Sequence, residues 1–250
     1  MPQTNIFYAF LRVTRMLGFL FVILSLCFLT SAALAAEESG HGQADASHGA
    51  SHGPNNPNSV DSALKALKEG NARFATAQPT HPRQGKDVLA KLAKDGQTPL
   101  AAVLSCSDSR APVEKIFDQG FGDLFVIRVA GAAPGVDQIG SLEYAVAHLG
   151  VPIILVLAHT QCGAVTAVVN EAKEPGALGE LLAKLNPVAK AVSGLESSAR
   201  LDAAIKMSAS LFREQVTLVS PVIAEAVKAG RLKVVSGVYD IETGLVNFTE

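Results

Sequence analysis

The sequence has no excess of positive charge and little cysteine. Its 21 Lys and Arg residues stand against 23 Asp and Glu residues, and this excludes the basic surface typical of a nucleic-acid-binding domain. There are three Cys residues and no Trp. Cys27 lies in an apolar run, which leaves Cys106 and Cys162 for a disulfide or a functional site. We see no internal repeat, and 250 residues suit one sizeable domain with appendages.

The first 35 residues have the pattern of an export signal. Arg12 and Arg15 precede an apolar run without charge, which ends in Ala33-Leu34-Ala35, the A-x-A pattern of a signal-peptidase site. A retained membrane anchor is the alternative, because the run is near the lower limit for spanning ~30 Å of hydrocarbon. We therefore predict a periplasmic or secreted protein, with a membrane contact only if residues 1–35 are retained.

Residues 36–58 contain almost no large apolar side chains. Their Gly, Ser, His, Pro and Asn residues cannot bury enough surface to offset the entropy of ordering the chain. We predict a disordered linker, and weak metal binding by His41, His48 and His52 is the alternative. The folded domain is predicted over residues 59–250.

Helical and strand-like patterns alternate in this predicted domain. A helical spacing of apolar residues begins at Val60, with Ser59 or Asp61 as its N-cap. The alternation predicts an α/β domain, with a largely parallel sheet flanked by helices. A turn at Thr243-Gly244 predicts a further strand at the edge. Four short, nearly continuous apolar runs predict strands that are covered on both faces: 99–105, 123–130, 152–158 and 231–240.

Residues that can bind a metal follow two of these predicted strands. Cys106, Asp108 and Arg110 follow the first strand in "CSDSR", and His159 and Cys162 follow the third in "HTQC". Because open α/β sheets bind ligands at the C-terminal ends of their strands, we expect the two groups to converge. Two thiolates and one imidazole are a typical set for catalytic zinc, which keeps a fourth position open. A disulfide between the two Cys residues is the alternative.

Asp108 is the candidate for that fourth position, and Arg110 can control it. An Arg can hold a carboxylate by paired, charge-assisted hydrogen bonds. If Asp108 points to the ion, the site is closed. If it turns to Arg110, water takes the position, and zinc can lower the pKa of that water to about 7. The resulting hydroxide needs a small electrophile.

With these motifs the sequence resembles the β-class carbonic anhydrases over the whole predicted domain. The resemblance implies zinc ligands at Cys106, His159 and Cys162, and a catalytic dyad of Asp108 and Arg110. It also implies that Asp108 can occupy the fourth zinc position in a closed state. The resemblance rests on "EGNARF", "CSDSR", "GDLFVIRVAG", "GSLEYAV", "LVLAHTQCGAV" and "GVYDIETG".

The resemblance also implies a substrate pocket and an assembly. Gln97, nine residues before Cys106, matches a pocket residue, and Phe125 and Tyr144 match pocket residues of plant-like members. For the two aromatic side chains, packing in the core is favoured at least as much as contact with substrate, and an apolar pocket is compatible with both. The family forms homodimers or homotetramers, in which the N-terminal helices pack on a partner subunit.

Three positions depart from the pattern of this family. Ala132 stands where Asn is common, and Ala158 stands where Gly often precedes the zinc-binding His. Val103 stands where regulated members carry a Trp in a second bicarbonate pocket. We therefore do not expect regulation through that pocket in its usual form.

The resemblance implies reversible hydration of CO2 to bicarbonate and a proton, by attack of zinc-bound hydroxide on CO2. One alternative is hydrolysis of carbon disulfide or carbonyl sulfide by the same zinc site. Another is a non-catalytic zinc-binding protein. The Asp108–Arg110 pair favours catalysis, because zinc storage has no need of it.

Overall fold

The described part of the chain begins with a capped helix. The structure, a computed structural model, describes residues 59–249, so the predictions for residues 1–58 lie outside the described part. Helix α1 spans Val60–Ala75, and its N-cap is Ser59, whose Oγ accepts a hydrogen bond from the Ser62 N–H at 3.2 Å. Of the two caps that the sequence allowed, Ser59 is therefore the correct one. Among the described residues, no helix has the length and apolarity needed to cross a membrane.

The remaining elements alternate much as the hydrophobic pattern predicts. A short 3-10 turn at Ala130–Ala132 follows the second strand. The other elements, in chain order, are α2 (Lys86–Asp95), β1 (Ala101–Ser105), α3 (Val113–Ile116), β2 (Leu124–Arg128), α4 (Val136–Ala147), β3 (Ile153–His159), α5 (Gly163–Val169), α6 (Gly176–Ala183), α7 (Asn186–Val192), α8 (Ser197–Val219), α9 (Pro221–Lys228), β4 (Lys233–Tyr239) and β5 (Val246–Thr249).

The strands form one sheet in the order β2-β1-β3-β4-β5. The pairs β1–β2, β1–β3 and β3–β4 are parallel, and β5 runs antiparallel to β4. This confirms both the largely parallel sheet and the edge strand after the turn at residues 243–244. Every residue of β1 and β3 is buried, which explains why these strands are apolar throughout instead of alternating.

Each face of the sheet has its own hydrophobic core. Along β1, Ala102 and Leu104 face one core, and Ala101 and Val103 face the other, as the two-residue period of a strand requires. Buried residues of α4 to α9 belong to the first core. Those of α1 and α3 belong to the second. The sheet is therefore a middle layer between helices, as the sequence predicted.

Asn71 fastens α1 to the other end of the chain. Its side chain is 3% exposed. Its Nδ2 donates to the carbonyl oxygens of Gly244 (2.9 Å) and Ile116 (3.2 Å), and its Oδ1 accepts from the Val246 N–H (2.8 Å). The Asn of the "EGNARF" motif thus satisfies three backbone groups, one of them at the start of β5.

Ser220 and Pro221 separate α8 from α9. Pro221 is the first residue of α9, where its missing N–H costs no helical hydrogen bond. The Ser220 Oγ accepts from the Ile223 N–H at 3.1 Å and donates to Glu143 Oε1 at 2.6 Å. Ser220 therefore caps α9 and also links it to α4.

Candidate metal centre

The sheet places the two metal-binding motifs at its topological switch point. From β1 the chain crosses to β2 on one side, and β3 lies on the other side of β1. Open α/β sheets with this strand order bind ligands outside the carboxyl ends of the two strands at the switch. Cys106 directly follows β1, and His159 is the last residue of β3. Cys162 is the N-cap of α5, three residues further on.

The structure brings these three side chains together. One ligand atom from each of Cys106, His159 and Cys162 lies within 4.8 Å of the others. All three residues are buried, with exposures of 6%, 1% and 2%. Both Cys residues are free thiols, so the disulfide alternative is not the one that the structure contains.

The imidazole of His159 is oriented as a metal ligand. Its Nδ1 lies 2.8 Å from the carbonyl oxygen of Thr160, which accepts the Nδ1 proton. That bond leaves the lone pair on Nε2, and this buried atom has no hydrogen-bond partner. A buried nitrogen without a partner costs about 1–3 kcal/mol. A metal ion would satisfy it, and the carbonyl is the kind of neighbour that fixes the tautomer of a ligating His.

The two thiols interact so that one of them ionises readily. The hydrogen bond from Cys162 lowers the pKa of the Cys106 thiol, against the effect of burial. The Gly131 N–H donates to Cys106 Sγ at 3.3 Å and acts in the same direction. The Cys106 thiolate in turn raises the pKa of Cys162. Because the thiolate is the metal-binding form of Cys, a divalent ion would relieve this conflict by binding both sulfurs.

Burial alone would lower the pKa of His159. Contacts with Cys106 and with the Thr160 carbonyl nevertheless raise this pKa above its ordinary value. Two thiols and an imidazole that compete for protons in a buried space are a donor set that fits Zn²⁺.

The turn after β2 supports the cluster through a close backbone approach. Gly131 has φ 68°, and a Cβ there would come within 2.9 Å of the Leu185 side chain. Ala132 follows with φ 54° and is buried. Asn tolerates this left-handed conformation better than Ala does, which gives a backbone reason for the common Asn at that position.

Asp108 lies beside the cluster and is paired with Arg110. Asp108 Oδ1 accepts from Arg110 Nε (3.0 Å) and from its backbone N–H (2.9 Å), and Oδ2 accepts from Nη2 (2.8 Å). These bonds hold the pKa of Asp108 well below its ordinary value, so the carboxylate stays ionised. Asp108 Oδ2 is 3.9 Å from His159 Nε2. Of the two arrangements that the sequence left open, the structure has the one with Asp108 turned to Arg110.

Arg128 holds this loop in place, and the sequence interpretation missed it. Its Nε donates to the Cys106 carbonyl oxygen at 3.0 Å, and its Nη2 donates to the Asp108 carbonyl oxygen at 2.6 Å. Arg128 pairs with Ser105 across β1 and β2. A charged residue that ends an apolar strand, as in "FVIR", was the available clue.

Gln161 contacts Arg110 of the dyad, Glu242 contacts Gln161, and neither residue was predicted. Arg110 donates from Nη1 to Gln161 Oε1 (3.4 Å) and from Nη2 to the Gln161 carbonyl oxygen (3.2 Å). Gln161 Nε2 donates to Glu242 Oε1 at 3.2 Å. A chain of hydrogen bonds therefore runs from Asp108 through Arg110 and Gln161 to the loop between β4 and β5.

The three predicted pocket residues are Gln97, Phe125 and Tyr144, and none of them is on the loops that carry the metal cluster. Gln97 is exposed in the loop before β1, and Phe125 pairs with Ala102 near the start of β2. Cys106 stands four positions after Ala102, which corresponds to roughly 13 Å of extended chain. Tyr144 is 48% exposed, so it is not a core residue.

Two of these residues are neighbours. The rings of Phe125 and Tyr144 are 6.1 Å apart, and the ring of His148 lies 5.0 Å from that of Tyr144. Phe125 lies on the strand beside β1, near the end at which the strand begins, whereas Cys106 follows the other end of β1. Their contact with substrate therefore stays a prediction.

Known proteins resemble this chain in sequence and in fold. The family model described as "Carbonic anhydrase" matches residues 101–246. Carbonic anhydrase 2 of Mycobacterium tuberculosis is 40% identical over 190 residues, which are 73% of this chain and 89% of that protein. Carbonic anhydrase of Mycolicibacterium smegmatis is 39% identical over 189 residues, which are 74% of this chain and 90% of that protein.

A solved structure shares the fold. It belongs to the tetrameric β-carbonic anhydrases of the ascomycete Sordaria macrospora. The two structures superimpose with a TM-score of 0.59 at 26% sequence identity. The superposition covers 75% of this chain and 96% of the Sordaria chain.

Proposed function

The chain belongs to the β class of the carbonic anhydrase family, and on that premise we propose that it catalyses the reversible hydration of CO2 to bicarbonate and a proton, with Zn²⁺ as its metal. The observation that carries this proposal is the buried cluster of Cys106, His159 and Cys162. Three protein ligands are what a catalytic zinc site uses, because one position must stay open for the reacting molecule.

The protein's part is to hold the ion and shape the space beside it. Cys106 and Cys162 would bind through their sulfurs and His159 through Nε2, with the Thr160 carbonyl keeping the imidazole in the required tautomer. Bound there, Zn²⁺ supplies the Lewis acidity that brings the pKa of a water down to about 7.

Asp108 and Arg110 orient the attacking oxygen. The Asp108 carboxylate is ionised, so it acts as a hydrogen-bond acceptor and not as an acid. By accepting a hydrogen bond from the attacking O–H, it would direct an oxygen lone pair toward the carbon of CO2. Arg110 keeps the carboxylate in that role, since two of its nitrogens bind the two carboxylate oxygens.

A measurement of metal content tests the assignment of the ligands. We expect about one Zn²⁺ per chain in the purified protein, and its loss in Cys162→Ser and His159→Ala. His148→Ala is a matched control, because His148 is exposed on α4 and away from the cluster. Zinc content that is unchanged in both ligand variants would contradict the site.

We propose further that the protein acts as a homodimer or homotetramer. Helix α2 has no buried residue, although it carries Val88, Leu89 and Leu92, and Leu89 is 45% exposed. A partner subunit that covers this helix would remove the apolar surface from water. The aromatic pair at β2 lies on an edge strand, where a second copy could bring it to the other site. Light scattering after size-exclusion chromatography would distinguish these states from a monomer.

We also propose export to the periplasm or out of the cell. The support is the sequence of residues 1–35, with Arg12 and Arg15 before the apolar run and Ala33-Leu34-Ala35 after it. Mass spectrometry of the native protein should find a chain that begins at Ala36. An intact N-terminus in a membrane fraction would instead indicate an anchor.

A further inference from the structure

Arg110 is held from two sides. One side is Asp108, which accepts hydrogen bonds from Nε and Nη2. The other side is Gln161, whose side-chain and backbone oxygens accept from Nη1 and Nη2. The Arg110 side chain is 46% exposed, so Asp108 alone would leave the guanidinium free to turn toward water.

Glu242 fixes the orientation of Gln161. A carboxylate can only accept hydrogen bonds, so the NH2 group of the Gln161 amide must face Glu242, and its oxygen must face Arg110. Arg110 can only donate hydrogen bonds, so its contact with the Gln161 side chain requires the same orientation. Glu242 therefore reinforces the orientation of the Gln161 amide that binds Arg110, by holding its NH2 group on the other side.

The loop that carries Glu242 is docked on the loop that carries Gln161. The Thr160 N–H donates to the Tyr239 carbonyl oxygen at 2.9 Å, and the Ile241 N–H donates to Thr160 Oγ1 at 3.0 Å. The Glu242 N–H donates in turn to Asp240 Oδ1 at 2.9 Å. Two hydrogen bonds between the loops, and one within the turn at Asp240, thus keep the Glu242 carboxylate within reach of Gln161.

From this geometry we propose that Gln161 and Glu242 are positioning residues, which hold Arg110 on Asp108 and so keep Asp108 from closing the fourth position of the metal. The inference rests on the proposed zinc site. Asp108 Oδ2 is already 3.9 Å from His159 Nε2, so only a short movement separates pairing with Arg110 from binding to the ion. The contacts that hold Arg110 in place therefore favour Asp108 paired with Arg110 over Asp108 bound to the ion.

The affinity of azide for the Co²⁺-loaded, full-length protein tests this, because azide requires the open position and changes the visible absorption of Co²⁺. We expect Glu242→Ala to weaken azide binding about three- to tenfold, the loss of one hydrogen bond in the chain. Removing a carboxylate would by itself strengthen the binding of an anion, so a weakening cannot come from charge alone. Glu242→Gln keeps an acceptor oxygen and should lie between Glu242→Ala and the unmodified protein.

A second variant avoids the change of charge. Gln161 has φ 57°, and Asn tolerates that conformation, but its shorter side chain cannot span Arg110 and Glu242. Gln161→Asn should therefore weaken azide binding to a similar degree. The double variant should be little worse than either single variant, because both act through one chain of hydrogen bonds.

The decisive comparison uses Asp108→Ala as the background. If Gln161 and Glu242 act through Asp108, then Glu242→Ala should no longer change azide affinity once Asp108 is absent. Glu225→Ala is the matched control, because α9 leads into the N-terminal end of β4, at the edge away from the cluster. Equal azide affinity in Glu242→Ala, Gln161→Asn and the unmodified protein would overturn the inference and leave the zinc site standing. Failure to bind Co²⁺ would overturn the proposed function and this inference with it.

Discussion

Replacing Asn71 with Ala should destabilise the fold more than any exposed substitution on α1. The change removes three hydrogen bonds at a position that is 3% exposed. It leaves the Val246 N–H and the Gly244 carbonyl without their side-chain partner, in a place that water reaches poorly. Each buried group left in this way costs about 1–3 kcal/mol, so we expect a loss of about 3 kcal/mol in the free energy of unfolding.

Urea unfolding, followed by circular dichroism at one fixed protein concentration, measures this loss. Glu69→Ala is the matched control, because Glu69 lies on the same helix with its side chain 59% exposed, and we expect a change within about 0.5 kcal/mol. Asn71→Asp should be at least as damaging as Ala, since the carboxylate keeps the acceptor for Val246 but donates to neither carbonyl. A loss below about 1 kcal/mol in Asn71→Ala would refute this account of the α1 attachment.

Three further predictions concern stability and use the same unfolding assay. Burial raises the pKa of Asp118, but hydrogen bonds, the Thr80 N–H first among them, lower it from 3.8 to about 2. Asp118 therefore stabilises the fold by about 2 kcal/mol above pH 4, and this stabilisation is lost as the pH falls toward 2. In Asp118→Asn the free energy of unfolding should depend much less on pH in that range, and an unchanged pH dependence would contradict the assignment. Ala77 is exposed just after α1 and has φ 56°, a left-handed conformation that strains an Ala backbone. Ala77→Gly should therefore raise the free energy of unfolding by about 0.5–1 kcal/mol, and a decrease would refute the idea that this backbone is strained. Ser220→Ala removes the cap of α9 and the bond to Glu143, and it should cost about 1–2 kcal/mol; a neutral effect would show that the cap is dispensable.

The metal cluster could be predicted because it depends on local sequence and on one general rule. Cys106 directly follows β1 and His159 ends β3, and both strands are recognisable as short apolar runs. Parallel strands bring their carboxyl ends to the same edge of a sheet, so the two motifs had to meet. The strand ends differ from the prediction by only one or two residues, which did not move either motif away from that edge.

The residues around the dyad could not be predicted in this way. Arg128, Gln161 and Glu242 stand 18, 51 and 132 residues after Arg110 in the sequence, so each contact depends on how distant parts of the chain come together. Nothing in the local sequence distinguishes Gln161 and Glu242 from other surface residues, and for Arg128 the available clue was its place at the end of an apolar strand. Glu242 in particular reaches Gln161 only because the loop after β4 docks on the loop after β3.

The pocket residues show a different limit. The resemblance identifies Gln97, Phe125 and Tyr144 by their position in shared motifs, but motifs do not say which subunit supplies a side chain. The register of β1 and β2 places Phe125 beside Ala102, at the far end of the strand from Cys106. The role of these three residues in the pocket therefore stays a prediction.

The central claim is tested most directly by stopped-flow measurement of CO2 hydration on purified protein, with zinc content determined in the same sample. We expect a rate that depends on zinc, is lost on removal of the metal by a chelator and returns when Zn²⁺ is added back. Asp108→Ala should lower the rate without removing zinc, because Asp108 is paired with Arg110 and not required to hold the ion. Full zinc occupancy without CO2 hydration between about pH 6.5 and 9, a range that includes the pKa near 7 of a zinc-activated water, would contradict the claim. Turnover of carbon disulfide or carbonyl sulfide in that same sample would then identify the alternative substrate.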